Sequence, residues 1–511
     1  MPMHNIFISS TLSLLIFFSG MNSIPPVQAA TATTITVTTT SDTIAVDGLC
    51  SLREAAIAAN TDSAFSDCPA GSGGDTITFS AALPAPATFL LTKTGSNEDN
   101  ALTGDLDLSG TLTIIGSGAS NTILDGNGSD RVLEVRPGAH VTISSLTVQH
   151  GDPGVAVDGG GIKVSGSLTL SNSTVTGNQG DGIYNIGGLL VLTEVKVTNN
   201  TGGYGIRNLN LASLTYTGGL VSGNQGGGVY NATSSASLSN LIISGNTVGG
   251  GVFNSGATLT HLTLHQCEIS NNTRTNGGGI FNEGTGAILD IFDTRITGNH
   301  ATSAGGGVFN NGIMTISQST LDHNQARSGG GMDHFGGNLH LINDTVSGNS
   351  ASDNGGGLYN RGSAVLTNIT LSGNTAGGAS TGGNIFNDTA QLTIGNTIVA
   401  NSEIDGNCFN SEGFIHSGGH NLDDGDTCGF SVQGDLVDTP PLLGPLQDNG
   451  GSTPTHALTE NSPAIDMGDN DLCPDLDQRG IARPQGSTCD IGSYESKFTL
   501  LGFELFLPII Y

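Results

Sequence analysis

One short pattern of apolar and polar positions recurs nine times between Leu168 and Asn374. Each copy ends on an asparagine, and apolar residues stand ten, eight and three positions before it, as Leu262, Leu264 and Ile269 do before Asn272. Successive asparagines are 22 to 27 residues apart. The nine closing asparagines are Asn178, Asn200, Asn224, Asn246, Asn272, Asn299, Asn324, Asn349 and Asn374.

The spacing of the apolar positions predicts three short strands per repeat. Positions ten and eight share one face of a half-buried strand, because side chains alternate with a period of two. The parity breaks between positions eight and three, usually across a polar residue such as Asn240 or Gln266, which predicts a corner and a second strand. A third segment follows each asparagine, and in five of the nine copies it reads GGGVYN, GGGVFN, GGGIFN or GGGLYN.

Three strands in 22 to 27 residues fit one coil of a parallel β-helix, stacked about 4.8 Å from the next. Leucine-rich repeats need convex segments that runs of Gly, Ser, Thr and Asn disfavour, propeller blades need about 40 residues, and collagen needs a regular glycine period. The register predicts two interior rows, which are Leu238, Leu264 and Ile291, and Ile243, Ile269 and Ile296. We expect each closing asparagine to adopt left-handed backbone angles and to hydrogen-bond with its copies as a ladder.

Composition agrees with a solenoid, because 36% hydrophobic residues with 79 Gly and no Trp suffice only for a thin continuous core. The chain holds 14 Lys+Arg against 44 Asp+Glu, a net charge of −30. That balance argues against nucleic acid and anionic lipid as partners and favours cations or neutral glycans.

The N-terminus predicts export. An apolar segment from Ile6 to Phe18 precedes Val27 and Ala29, the small residues that a signal peptidase reads, so residues 1–29 are predicted to be a signal peptide. The alternative is a buried N-terminal strand. No later segment has the roughly 20 apolar residues that span a bilayer.

Six of the seven cysteines stand in close pairs outside the repeats, which predicts three short-range disulfides. The pairs are Cys50 with Cys68, Cys408 with Cys428, and Cys473 with Cys489. Cys267 falls at a repeat position held elsewhere by Ser173, Val195 and Ile369, so we expect an inert interior residue; the alternative is a reactive thiol.

Both ends of a β-helix need a cap, because exposed strand edges invite pairing with other chains. Ser51 and Glu54 form a capping box, and the apolar spacing after it predicts a helix ending near Asn60. We interpret this helix as a lid on the first coil.

The Cys50–Ala55 segment CSLREA matches the motif of bacterial CSLREA-domain surface proteins, which continue, as here, into GDLDL (104–108) and LDGNG (124–128). At the other end, DNGGSTPTH (448–456), SPAID (462–466), DQRG (477–480) and CDIGSYE (489–495) resemble the choice-of-anchor Q domain. The GGG[IV]FN repeats are similar to those of polymorphic outer-membrane proteins. The resemblance implies an all-β, right-handed parallel β-helix of the pectin-lyase-like superfamily, retained at a bacterial surface, and it brings no established activity.

These features divide the chain into five predicted parts. They are a signal peptide (1–29), an N-terminal cap with the first strands (30–110), β-helix coils (111–407), a choice-of-anchor Q-like C-terminal cap (408–496) and an apolar tail (497–511). The tail is either an anchoring tail or a final edge strand.

The coils contain few clustered bases or acids, whereas a lyase needs a strong base and a hydrolase needs paired carboxylates. One coil is richer in such groups, and its candidate catalytic residues are Asp322, His323, Arg327, Asp333 and His334. There Asp333 replaces the usual aromatic residue and His334 the usual asparagine. Two interpretations stay open: these residues form a catalytic site, or they are tolerated surface substitutions.

A second cluster, with the near-alternate spacing that suits calcium, consists of Asp466, Asp469, Asp471, Asp475 and Asp477. The alternative is a solvated acidic loop, and no other cofactor is predicted.

The sequence therefore predicts a secreted, monomeric β-helix protein of the cell surface that serves adhesion, contact with glycans or cell-envelope components, or structural display. The alternative is a lyase or hydrolase of acidic glycans.

Overall fold

The computed structural model describes residues 32–95, 98–154, 159–258, 260–378, 381–402 and 406–497. The predicted signal peptide and residues 498–511 of the predicted tail lie outside this part of the chain. Within it, no helix has the length and apolar composition that a membrane crossing requires.

The coils pair in parallel from Thr34 to Asp423 and build three sheets, named here in the order in which each coil visits them. Sheet 1 consists of Thr34–Val37, Gly74–Phe79, Thr111–Ile115, His140–Ser144, Ser167–Ser171, the first parts of Leu189–Thr198, Ser213–Ser222 and Ser235–Ser244, Thr260–His265, the second parts of Ile280–Phe292, Val308–Ser317 and Met332–Ile342, Ser363–Thr367, Gln391–Gly395 and Phe414–Gly419.

Sheet 2 follows the corner of each coil. It consists of Ala87–Leu90, Thr122–Asp125, Thr147–Gln149, Thr174–Thr176, the second parts of Leu189–Thr198, Ser213–Ser222 and Ser235–Ser244, Glu268–Ser270, Arg295–Thr297, Thr320–Asp322, Thr345–Ser347, Thr370–Ser372, Ile398–Ala400 and Leu422–Asp423.

Sheet 3 holds the segments that follow the glycines. It consists of Leu106–Leu108, Leu133–Val135, Ile162–Val164, Ile183–Ile186, Ile206–Leu209, Val229–Ala232, Val252–Ser255, the first parts of Ile280–Phe292, Val308–Ser317 and Met332–Ile342, Leu358–Asn360, Ile385–Asp388 and Cys408–Ser411. Between sheets 2 and 3, shorter strands pair at the turns: Gln179–Gly180 with Thr201–Gly202, and Thr273–Asn276, His300–Ala304, Gln325–Ala326, Ser350–Ala351 and Thr375–Ala376 with one another.

The predicted interior rows are confirmed. Leu264 pairs with Leu238 on one side and Ile291 on the other, and Ile269 lies likewise between Ile243 and Ile296. All six are fully buried. The corner residues before the second strand have positive φ angles, 55° at Asn240 and 53° at Gln266 for example, which is how the chain changes direction there.

The predicted asparagine ladder is also present. From Asn178 to Asn374, the Nδ2 of each closing asparagine donates to the Oδ1 of the next at 2.9 to 3.0 Å. The prediction that these asparagines adopt left-handed backbone angles was wrong by one position. Those angles belong to the residue before each asparagine, as at Gly177 (φ 64°) and Asn271 (φ 55°).

A second interior ladder runs through the last asparagine of the sheet 3 motif. It links Asn185, Asn208, Asn231, Asn254, Asn282 and Asn310, and resumes with Asn360, Asn387 and Asn410. His334 occupies the missing rung.

The N-terminal helix spans Leu52–Thr61, and the capping box of Ser51 and Glu54 is formed. Arg53 is fully buried; its guanidinium pairs with Asp42 at 2.6 Å and donates to the carbonyls of Ala101 and Gly104. The helix is thereby fixed to the first coils of sheet 3.

The C-terminal region has two parts. Cys428 and Phe430 join the main core beyond the last coil. The following segment, with the antiparallel pair Leu443–Gln447 and Thr455–Leu458, builds a small second core and packs along the side of sheet 2. Outward threonines hold it there: Thr320 Oγ1 donates to the Pro454 carbonyl and Thr345 Oγ1 to Gln478 Oε1, both at 2.6 Å.

The cysteine predictions are confirmed. Disulfides join Cys50 to Cys68, Cys408 to Cys428, and Cys473 to Cys489. Cys267 is free and buried, and burial raises the pKa of its thiol to about 11.

Candidate functional site

The five candidate catalytic residues lie on different parts of one coil. Asp322 ends a sheet 2 strand, Arg327 lies in the following turn, and Asp333 and His334 stand on opposite faces of sheet 3. Arg327 pairs with Asp353 at 2.6 Å, and both side chains are exposed. The structure does not bring these groups together around one point.

The two candidate aspartates are engaged in ion pairs. Arg295 donates to both oxygens of buried Asp322 at 2.9 and 2.8 Å, and His323 Nδ1 lies 2.8 Å from the same carboxylate. Burial alone would raise the pKa of Asp322, but hydrogen bonds from Arg295 and His323 hold it below its ordinary value. Asp333 pairs with Arg361 Nη2 at 2.7 and 2.8 Å; burial raises its pKa to about 6, although Arg361 opposes the rise.

His334 points into the β-helix as a rung of the second ladder. Asn310 Nδ2 donates to its Nδ1 at 3.0 Å, and its Nε2 donates to the Ser363 carbonyl at 3.1 Å. Burial lowers the pKa of the imidazole to about 4.

The C-terminal aspartates are used by the local backbone and by arginine. Asp469 Oδ1 accepts from the Asp471 amide at 3.0 Å, Asp466 Oδ1 from the Ser487 amide at 2.9 Å, and Asp477 pairs with Arg479 at 2.6 Å. In the described part of the chain, three acidic side chains whose ligand atoms all lie within 4.8 Å of one another are found elsewhere, at Asp105, Asp107 and Glu134.

These three carboxylates lie at the start of sheet 3, where Asp107 pairs in register with Glu134. Arg131 Nη1 bonds to Asp105 at 3.1 Å and to Glu134 at 2.6 Å. Burial, followed by the charge of Asp105, raises the pKa of Asp107 to about 7. This group was not predicted from the sequence, because Glu134 belongs to a different coil from Asp105 and Asp107.

The outward side of sheet 3 carries a continuous row of aromatic rings. Successive coils place Tyr230, Phe253, Phe281 and Phe309 in register, with ring centroids 4.8, 5.0 and 4.9 Å apart. Phe253, Phe281 and Phe309 pack together outside the main core of the β-helix. The row therefore forms a narrow apolar ridge parallel to the β-helix axis.

The row changes at the coil that contains Asp333. Asp333 takes the ring position in the register, and a bulge follows, because Asn310 pairs with His334 but Asn311 pairs with Gly336. The extra residue is Phe335, which packs on Phe309 at 5.8 Å and remains 47% exposed. Arg361 lies between Phe335 and Tyr359, 4.4 and 4.5 Å from their centroids.

A groove of about 370 Å³ opens at this place. Phe281, Phe309 and Phe335 form its apolar part, while polar groups from neighbouring coils form its rim, namely Asn276, Glu283, Ser303, Asn311 and Arg361. An apolar groove with a few polar groups around it is typical of small-molecule sites. We refer to it as the sheet 3 groove.

A larger groove, of about 660 Å³, lies between sheet 2 and the loop around Ser452. Its charged residues are Glu268, Asp293, Asp448 and Arg295, and Arg295 is already paired with Asp322. It has no exposed aromatic ring among its lining residues.

The aromatic row could have been predicted from the sequence, although the GGGVFN repeats were interpreted there only as a structural motif. The fifth residue of the GGGVFN motif is aromatic in most repeats, and in a coil with a two-residue alternation it must point outward. The bulge was visible only as the departure GGGMDHF.

The model of the family described as "Right handed beta helix region" matches residues 131–299. Among solved structures, the chain is similar to the A-module of mannuronan C-5 epimerase AlgE6 from Azotobacter vinelandii, at 13% identity over 68% of this chain and 91% of that one, with a TM-score of 0.37. It is similar to pectate lyase Pel9A at 14% identity, over 84% and 92% of the two chains, with a TM-score of 0.33. A comparison with curated proteins gives no significant match.

The chain is a right-handed parallel β-helix.

Proposed function

We propose that this right-handed β-helix is a secreted protein, retained at the cell surface, that binds glycans in the sheet 3 groove. The observation that carries the proposal is Phe335, a half-exposed ring at the end of a stack, surrounded by polar side chains. The C–H face of a pyranose is apolar and packs on such a ring, while its hydroxyls need hydrogen-bond partners at the rim.

Charge and disulfides support the same proposal. A net charge of −30 repels polyanions, so the chains that suit this surface are those of low charge density. Three disulfides are typical of proteins in an oxidising, extracytoplasmic compartment. The signal peptide and the surface anchor remain predictions from the sequence.

The rival function is cleavage of acidic polysaccharides. Hydrolysis needs two carboxyl groups at a fixed separation across the bond, and a lyase needs a base beside a neutralised uronate. Asp322 and Asp333 both form ion pairs with arginines, and His334 faces the interior of the β-helix. We therefore favour binding over catalysis.

Binding is tested by a glycan array followed by titration calorimetry on the best ligand. Phe335→Ala removes the exposed ring, and we expect a loss of about 2 kcal/mol, roughly 30-fold in affinity. Phe414→Ala is the matched control, because Phe414 is 75% exposed on sheet 1, away from the groove. Equal affinities of the wild type and Phe335→Ala, or no binding to any glycan, would reject the proposal.

Catalysis is tested on the same preparation. Release of unsaturated uronate and of reducing ends should stay at background on pectin, alginate and neutral glucans. Turnover by the wild type that is lost in Asp333→Ala or His334→Ala would favour the rival instead.

A further inference from the structure

Arg274 packs on Phe281, one of the rings that line the sheet 3 groove. It belongs to the turn strand Thr273–Asn276, and its guanidinium carbon is 4.1 Å from the ring centroid of Phe253 and 4.0 Å from that of Phe281. The guanidinium therefore contacts the aromatic row of two successive coils, next to the rings that form the groove.

Arg274 differs from the other arginines of the chain. Each of those nine forms an ion pair with a carboxylate: Arg53, Arg131, Arg136, Arg207, Arg295, Arg327, Arg361, Arg479 and Arg483. Among the described residues, no carboxylate oxygen lies within 4.0 Å of the Arg274 guanidinium nitrogens, although the chain has 44 acidic residues. Its Nη1 is enclosed and has no hydrogen-bond partner among the described residues.

Asn276, two residues further along the same strand, has an acceptor atom without a partner, whereas Arg274 has a donor without one. Its Oδ1 is enclosed and accepts no hydrogen bond from the described residues, and Asn276 lines the groove. Burying a cation or a polar atom without a partner costs free energy, so such groups are normally paired in folded proteins. One strand thus places a cation without an ion pair and an amide side chain next to an aromatic surface.

Arginine suits an oxyanion especially well. Its planar guanidinium can donate two parallel hydrogen bonds to a carboxylate or a sulfate, and stacking on aromatic rings holds the plane in one orientation. Burial lowers the pKa of Arg274, while nearby tyrosine and Glu283 charges oppose that change. An incoming oxyanion would supply a counter-charge in direct contact with the guanidinium.

We propose that Arg274 selects glycans with an isolated oxyanion substituent, a carboxylate or a sulfate ester, and that Asn276, which lines the groove, hydrogen-bonds a hydroxyl of the same sugar. This inference rests on the proposed glycan-binding function and adds the chemical class of the ligand. The substituent must be isolated, because a densely charged polymer is repelled by the negative surface.

The test uses three short β-1,4-linked gluco-oligosaccharides: the neutral chain, the same chain with one glucuronate, and the same chain with one 6-O-sulfate. Titration calorimetry on the full-length protein should show the charged ligands binding at least 10-fold more tightly than the neutral one. Tighter binding of glucuronate or of sulfate tells which oxyanion the site prefers.

Arg274→Gln should make the affinities for the three ligands similar, because it weakens the binding of the two charged ligands and not that of the neutral one. Arg274→Lys should restore part of the preference, since it keeps the charge but not the planar pair of donors. Lys196→Gln is the control for loss of one positive charge, because Lys196 is exposed on sheet 2. Circular dichroism checks that each variant keeps its fold.

The outcomes separate the two proposals. If the wild type binds all three ligands equally, or if Arg274→Gln keeps the preference for charge, the assignment of Arg274 is refuted while glycan binding stands. If none of these ligands and no glycan on the array binds, both are refuted.

Discussion

His334 gives a sharp test of how the interior ladders stabilise this β-helix. Asn310 Nδ2 donates to Nδ1 of the ring, so that nitrogen carries no proton, and Nε2 donates to the Ser363 carbonyl. The next rung, Asn360, is left with a buried Oδ1 that has no hydrogen-bond partner among the described residues. His334→Asn should restore the ladder, because its Oδ1 can accept from Asn310 and its Nδ2 can donate to Asn360.

The expected magnitude depends on pH. At pH 7, satisfying the acceptor of Asn360 should contribute about 1 to 3 kcal/mol, offset in part by the smaller volume of asparagine, so we expect a net gain of about 1 kcal/mol. At lower pH the imidazole adds a second effect. Its pKa is about 4 in the folded state, because of burial, against an ordinary value of 6.5.

Between these two pKa values the unfolded chain binds the proton and the folded chain does not. The wild type therefore loses stability as the pH falls from 6.5 towards 4, by about 3 kcal/mol at 1.36 kcal/mol per pH unit. Asparagine does not titrate. The advantage of His334→Asn over the wild type should thus grow from about 1 kcal/mol at pH 7 to about 4 kcal/mol at pH 4.

The assay is urea-induced unfolding followed by circular dichroism at pH 7, 5.5 and 4, together with hydrogen exchange of the peptide that spans residues 332–342. Local exchange is needed because a solenoid can unfold in parts. His340→Asn is the control, since His340 is exposed on the same strand. A variant less stable than the wild type at pH 7, or a stability difference that does not change with pH, would refute the ladder argument.

Two further predictions concern the core and the N-terminal carboxylates. Ile269→Asp should destabilise the fold by more than about 4 kcal/mol, because it buries an unpaired charge, whereas Ile242→Asp, on the outward side and 47% exposed, should have little effect in the same urea titration. Asp107 holds its proton up to about pH 7 in the folded state but only to about 3.8 when unfolded, so the wild type loses stability as the pH rises through that window. Asp107→Asn should therefore raise the melting temperature more at pH 8 than at pH 5, and an equal rise at both would contradict the assignment.

The sequence determined the coil and its interior. Alternation with a period of two decides which side chains face inward, and a repeat of constant register stacks them, so Ile269 could be placed between its neighbours without coordinates. The same argument found the ladder of closing asparagines. Proximity along the chain was enough for the three disulfides, because each closes a short loop.

Nearness along the chain was a poor guide to the candidate site. Asp322 and Asp333 are eleven positions apart, yet the coil turns a corner between them and places them on different sheets. Residues that are remote in sequence come together instead, since stacking brings equivalent positions of successive coils within about 5 Å. Phe281 and Phe309 are neighbours for that reason.

Only the tertiary structure decided what lies on the outside of the coils. The outward threonines Thr320 and Thr345 look like ordinary surface residues in the repeat, but the C-terminal segment, more than 100 residues later, covers them. The one-residue bulge that exposes Phe335 depends on pairing with the previous coil. That Arg274 forms no ion pair with a described carboxylate depends on the three-dimensional positions of those carboxylates. A periodic pattern specifies the interior because burial there is repeated in every coil, whereas the outer surface is set by contacts that occur once.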